Sequence, residues 1–295
     1  MNGKSKILAF LMAHAALIGA LDARAQRADL SLPPKVLKIE REWVKPGKYA
    51  AHEKVEAEFP KAAAHAKDQW NWLAMESETG PGQLWALIAL DSFEDWQKSE
   101  DTLGSITTFN AAIEQLHDRD GDFLSRDDTL AAVYDESLSY RPLADWARMR
   151  FYLVTTFQIR PGHDPDFLEI DRLTREAHVK TNIDEHWVVY RIISGAPTGT
   201  YLVFAPMKAM KELDESDARH KPYLEALGED GQKRLHELEA VAYERESEDV
   251  FAVNPKLSYV SKEWSAADPE FWHPRLAAAP PAPNAKKKSA PPDKP

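Results

Sequence analysis

The chain has 295 residues, 43% apolar and 10% aromatic, with 37 basic and 48 acidic side chains for a formal charge of −11. That composition supports packed globular cores, and the negative charge speaks against nucleic acid and anionic membrane surfaces as partners. With 0 Cys, disulfide staples, thiolate metal sites and thiol nucleophiles are excluded.

The first 25 residues carry Lys4 and Lys6, then an apolar run from Ile7 to Leu21 broken only by His14, then Ala23-Arg24-Ala25. This order of charge, apolar run and small-residue cleavage site predicts a secretory signal peptide over 1–25, with the mature chain starting at Gln26 in the periplasm or outside the cell. No later stretch approaches the roughly 20 apolar residues of a spanning helix.

From Val36 to Val44 the sequence is rich in β-branched and aromatic residues and stops at Lys45-Pro46-Gly47, which predicts a strand and a turn. A helix is expected from Lys48 to Gln69, broken or kinked at Pro60. A hairpin follows, with strands Trp72 to Ser77 and Leu84 to Leu90 around Gly80-Pro81-Gly82. Ser92 is the expected N-cap of helical segments reaching about His117, and a short strand near Leu138 to Tyr140 closes the unit.

The pattern then recurs. Lys45-Pro46-Gly47 returns as Arg160-Pro161-Gly162, Trp72 as Trp187 and Gly80 as Gly195, at a constant spacing of 115 residues (45 to 160, 72 to 187, 80 to 195). Leu138-Ser139-Tyr140 returns as Leu257-Ser258-Tyr259 at a spacing of 119 (138 to 257). The second unit predicts a strand over Phe151 to Ile159, a helix over Asp164 to Thr181, hairpin strands over Trp187 to Ile193 and Tyr201 to Phe204, helices opening at Pro206 and running through Lys233 to Glu244, and a short strand near Leu257 to Tyr259. From Ala277 the chain is rich in Pro, Ala and Lys and is expected to be a disordered tail. The expected organisation is therefore leader 1–25, first α+β unit 26–145, second unit 146–265 and tail 266–295.

The order β-α-β-β-α-β is the ferredoxin-like split unit, which leaves one sheet face in need of a partner. Two linked units can cover each other. On the strand order, the Pro-Gly turn after the first strand and the apolar hairpin, the segment from Pro34 to Trp264 resembles the dimeric α+β barrel superfamily. That superfamily includes NIPSNAP-like proteins, monooxygenases of the antibiotic-biosynthesis type, EthD-like proteins and chlorite-dismutase-like haem proteins. The resemblance implies tandem ferredoxin-like βαββαβ repeats forming an intrachain dimeric α+β barrel, an arrangement compatible with a monomer. It implies no functional residue, because no catalytic signature of any branch is present.

Tests for familiar sites fail. There is no phosphate loop, His-Glu-x-x-His motif or Gly-x-Ser-x-Gly elbow. The acidic segment Asp118 to Asp122 lacks the sixth-position Gly and twelfth-position Glu of a calcium loop, and is read as a solvated acidic loop. No metal site is assigned.

The candidate pocket residues are strand aromatics and their charged neighbours: Trp43, Trp72 and Trp85 in the first unit, and Trp187, Tyr190 and Tyr201 in the second, where Tyr152 is another strand aromatic. Glu76 and Arg191 occupy matching positions and could pair across the interior. His178 and His186 flank the Trp187 strand and leave a haem ligand open as an alternative to local hydrogen bonding. In the first strands, Leu37, Ile39, Arg41 and Trp43 match Tyr152, Val154, Thr156 and Gln158. The apolar face switches between units, so the inward face is left undetermined, and any activity is expected to reside in one unit.

The leading reading is an exported barrel that binds a small apolar or aromatic molecule. A cofactor-independent monooxygenase or haem-dependent oxidoreductase of the same fold is the alternative, and a protein interaction module is a third.

Overall fold

The computed structural model describes residues 33–66, 71–142 and 145–273. The leader expected at 1–25 and the Pro/Ala/Lys stretch from Ala277 lie outside them. The strands are β1 (Val36–Val44), β2 (Trp72–Ser77), β3 (Gln83–Leu90), β4 (Leu124–Tyr140), β5 (Phe151–Ile159), β6 (Trp187–Ser194), β7 (Thr200–Met207) and β8 (Tyr243–Val253). The helices are α1 (Tyr49–Glu56), α2 (Phe59–Ala66), α3 (Phe93–Gly104), α4 (Thr107–Gly121), α5 (Asp164–Thr181), α6 (Lys211–Ala242), α7 (Lys262–Ala267) and α8 (Pro269–Trp272).

All eight strands join one closed antiparallel barrel in the order β1-β3-β2-β8-β5-β7-β6-β4. Each half of the chain contributes four adjacent staves in the same internal order, β4-β1-β3-β2 and β8-β5-β7-β6. The halves are joined by β2 against β8 and β4 against β6. Closure leaves no sheet edge unpaired, which removes the surface on which open sheets aggregate.

The first strands and the helix Asp164–Thr181 have the expected bounds, and Ser92 Oγ caps α3 by accepting from the Asp95 amide at 3.1 Å. The expected helix over Lys48 to Gln69 is α1 and α2 with a break before Pro60, and 67–70 lie outside the described residues. Gly80 and Gly195 both take positive φ, 70° and 93°. A Cβ at Gly195 would come within 2.1 Å of the Thr129 carbonyl oxygen, so the hairpin needs glycine there for close approach as well as for backbone conformation.

Three expectations are corrected. The closing strands are not short pieces at 138–140 and 257–259: β4 spans 17 residues and β8 spans 11, while Tyr259 makes only an isolated bridge to Trp72. Their first halves, LSRDDT and YERESED, are too polar to read as strands, but each pairs along one edge with the first strand of its own half, β1 or β5, and the second partner, β6 or β2, joins only from Ala131 and Phe251 onward. Pro206 does not open a helix. It sits on β7 opposite Tyr152, and α6 starts at Lys211 and is interrupted at Gly228, where φ is 67° and ψ 172°. The acidic segment Asp118 to Asp122 is no solvated loop: it forms the end of α4, and Asp120 is 2% exposed.

Packing also continues past the expected tail boundary at 266. Trp272 of α8 is 5% exposed within the barrel core, and its indole N–H donates to the Ala147 carbonyl at 3.0 Å.

The ambiguous strand parity resolves the same way in both halves. Leu37 and Ile39 of β1 and Tyr152 and Val154 of β5 all join the interior cluster. The outer face differs instead. Leu153, Phe157 and Ile159 are apolar on β5, whereas Lys38, Glu40 and Glu42 are charged on β1.

Candidate functional site

The barrel interior is packed at its middle and open at one end. Trp85 and Phe251 meet at 4.9 Å between ring centroids, among the fully buried Ile39, Met75, Leu130 and Leu202. Beyond this plug, at the far end, the Arg41 guanidinium makes two bonds of 2.7 and 2.9 Å to the Asp128 carboxylate and lies over the Trp85 and Trp43 rings at 5.3 and 5.1 Å. Arg126 also lies over the Trp43 ring, at 4.4 Å.

On the opposite side of the plug is a cavity of about 790 Å³. Leu37, Leu73, Leu87 and Val188 supply aliphatic wall, and Tyr134, Trp146, Tyr152, Tyr190, Phe204 and Trp264 supply aromatic wall. Trp146 and Tyr152 lie nearly parallel, 8° apart with centroids at 5.9 Å. Phe204 stands edge-on to Tyr190, at 86° and 5.9 Å. The Tyr190 hydroxyl donates to the Pro34 carbonyl at 2.8 Å, which ties the entering chain to the cavity wall.

Burial pushes the Tyr152 and Tyr190 phenols above the usual tyrosine range, so both stay neutral hydrogen-bonding groups at physiological pH. The Trp146 and Trp264 indole nitrogens are buried and have no hydrogen-bond partner. Charge is confined to the mouth, where Lys35, Asp91 and Glu136 are exposed.

Of the ten residues chosen from sequence, Tyr190 lines this cavity and Trp72 reaches its edge from the outer face of the sheet. Trp85 belongs to the plug and Trp43 to the far end. Trp187 and Tyr201 point outward, Trp187 stacking on Tyr140 at 4.8 Å and Tyr201 meeting Phe167 of α5 at 4.8 Å with the ring planes tilted by 39°.

Glu76 and Arg191 do not pair. Both stand on the outer face, since Met75 on β2 and Tyr190 and Ile192 on β6 point inward, and β2 and β6 are separated by three staves in either direction around the barrel. The Glu76 carboxylate accepts from Asn254 Nδ2 at 2.7 Å, and Arg191 is exposed.

The residues do not fit haem ligation by His178 or His186. Both lie outside the barrel, and each has its two ring nitrogens against oxygen atoms. His178 faces the Thr174 carbonyl at 2.8 Å and Glu185 at 2.9 Å, and His186 faces the Arg141 carbonyl at 2.6 Å and Asp184 at 3.0 Å. Among the described residues no histidine lines the cavity.

The aromatics missed from sequence are Tyr134, Trp146, Phe204 and Trp264, with Tyr152 noticed but given no role. Tyr134 was hidden because its strand reads as a polar connection. A signal did exist for the two tryptophans: Trp146 follows Tyr140 by six residues and Trp264 follows Tyr259 by five, so each trails one copy of the repeated Leu-Ser-Tyr triplet.

No protein-family model matches the sequence, nor does any curated protein. Solved structures similar in chain trace include an anthrone oxidase-like protein, 13% identical over 77% of this chain and 95% of that one with a TM-score of 0.48. A chlorite dismutase variant from Candidatus Nitrospira defluvii is 9% identical over 84% of this chain and 100% of that one, with a TM-score of 0.47. A candidate monooxygenase from Fusobacterium nucleatum is 12% identical over 75% of this chain and 93% of that one, with a TM-score of 0.45. Likenesses of this depth speak to no activity, and the chain stands as an α+β protein built on an eight-stranded antiparallel barrel with one open, aromatic-walled end.

Proposed function

We propose that this is an exported small-molecule-binding protein whose barrel takes a flat, largely apolar ligand carrying hydrogen-bond acceptors. The observation that carries the reading is the aromatic wall of a cavity of about 790 Å³, with Trp146 and Tyr152 parallel, and the two lining tryptophans Trp146 and Trp264 add indole N–H groups that have no partner in the protein. A buried donor without a partner costs on the order of 1–3 kcal/mol, and a ligand acceptor that meets either indole after a small shift of its ring would remove that cost. The parallel faces of Trp146 and Tyr152 favour a planar ring system beside those donors.

Binding is favoured over oxygenation because the charged groups of the cavity sit at its exposed mouth, away from the deep wall. The equal strand order of the two halves and the 115-residue spacing of their landmarks support tandem copies of one ferredoxin-like unit. One chain supplies all eight staves, so the unit is proposed to act as a monomer. Export rests on the leader pattern at 1–25.

Native mass spectrometry of freshly purified protein, with extraction and identification of anything that co-purifies, tests the reading. A planar, acceptor-bearing compound that quenches tryptophan fluorescence when added back supports it. Failure of a panel of such compounds to quench, with nothing co-purifying, overturns it.

A further inference from the structure

The charged outer face of β1 builds a second polar site, separate from the barrel cavity. Glu42 of β1, His52 and Glu56 of α1, and Asp120 from the end of α4 each bring one ligand-type atom to within 4.8 Å of the others. His52 Nε2 lies 3.0 Å from Glu42 Oε2 and 3.6 Å from Asp120 Oδ1. The His52 and Asp120 side chains are each only 2% exposed, yet Asp120 Oδ1 is buried without a hydrogen-bond partner.

Three carboxylates converging on one imidazole under a helical layer is an unfavourable arrangement without a cation, because like charges are gathered where water screens them little.

The fold does not require this cluster. At the matching positions of the second half, 115 residues on, Glu42 and His52 are replaced by Phe157 and Phe167, which pack at 5.7 Å between β5 and α5. An aromatic pair closes the same junction there, and the match of Glu56, the largely buried Asp171, is paired with Arg175 at 2.8 Å, whereas in the first half three acids gather around one histidine.

We propose that Glu42, His52, Glu56 and Asp120 bind a divalent transition-metal cation of the Mn²⁺, Fe²⁺ or Zn²⁺ class. Metal–ligand bonds of about 2.1 Å place neighbouring ligand atoms about 3.0–3.4 Å apart, so the observed 3.0 and 3.6 Å separations need only small adjustment. The imidazole nitrogen in the set favours these ions over Ca²⁺ and Mg²⁺, which take oxygen shells. Glu42 and Glu56 also line a cavity of about 350 Å³ between the sheet and the helices, which gives an ion a way in.

The test is titration of chelator-treated, untagged full chain with Mn²⁺, read by electron paramagnetic resonance, and with Zn²⁺ and Ca²⁺, read by calorimetry. One Mn²⁺ or Zn²⁺ per chain is expected, with Ca²⁺ at least tenfold weaker and a rise in Tm on loading. Asp120→Asn and Glu56→Gln should each weaken binding at least tenfold and abolish the Tm rise. Each variant removes a crowded acid, so the metal-free Tm should hold or increase, which separates lost binding from unfolding. No stoichiometric Mn²⁺ or Zn²⁺ binding, or binding that survives both substitutions, overturns the proposal.

Discussion

The indole N–H of Trp72 on β2 donates to the carbonyl of Leu257 at 2.8 Å, and the same bond recurs between Trp187 on β6 and Leu138 at 2.9 Å. Next to them the Ser258 and Ser139 hydroxyls accept from the Ala74 and Val189 amides at 2.9 and 3.0 Å. A hairpin strand of each half is thus held by the end of the other half's closing segment. Trp72→Phe and Trp187→Phe should each lower stability by about 1–3 kcal/mol, because each strands a backbone acceptor. With the two sites on opposite staves, the losses should add. Urea denaturation measures both, and a change under about 0.5 kcal/mol would mark the bonds as incidental.

Trp146→Phe and Trp264→Phe keep the aromatic wall while removing the unpartnered donors. Without ligand, stability should be unchanged or slightly higher. Affinity for an acceptor-bearing ligand should fall by roughly threefold to tenfold for each substitution, the equivalent of one hydrogen bond of about 0.5–1.5 kcal/mol. Fluorescence titration using the remaining tryptophans reads the effect, and unchanged affinity in both variants would remove these indoles from the site.

Phe251 is 1% exposed and packs on Trp85 in the plug that ends the cavity. Phe251→Ala should cost about 3–5 kcal/mol and deepen the cavity toward the Arg41–Asp128 pair. Thermal unfolding reports the loss, and uptake of a longer ligand by the variant alone would report the deepening.

Glu185 supplies a pH dependence. Against its burial, which raises it, hydrogen bonds from His178, Ser216 and Arg219 hold its carboxyl down to about 2, from an ordinary 4.5. A carboxyl depressed in the folded state contributes stability that is complete above its unfolded value and is lost as pH falls through the folded one. The contribution should therefore be present at pH 6 and should decline between about pH 4.5 and 2. Glu185→Gln should be less stable than the parent at pH 6, and the gap should narrow by pH 2.5. A gap that does not change with pH would show that the carboxylate charge is not the cause.

Much of the fold was legible because it is local. β1, β5 and α5 are marked by β-branched runs, helical spacing and Pro-Gly turns, and their expected bounds match. The constant 115-residue spacing marked the two halves before any contact was known. The site was less legible. Trp85 and Tyr190 do point inward, but Trp187, Tyr201, Glu76 and Arg191 lie on the outer face, because alternation along a strand separates two faces without saying which one is enclosed. The metal-type cluster was invisible for a different reason. His52 and Glu56 share one face of α1 at the i, i+4 spacing, but Glu42 and Asp120 join them only when α1 and α4 pack on β1.

By itself, then, the sequence determined the order of elements, the 115-residue spacing of its landmarks and the exclusion of cysteine chemistry. Only the tertiary structure decided the length of β4 and β8, the inward face of each stave and the residues that surround the two cavities. Those features depend on backbone and side-chain partners supplied by distant segments, and the polar halves of β4 and β8 become strand only because β1 and β5, distant in the chain, pair with them.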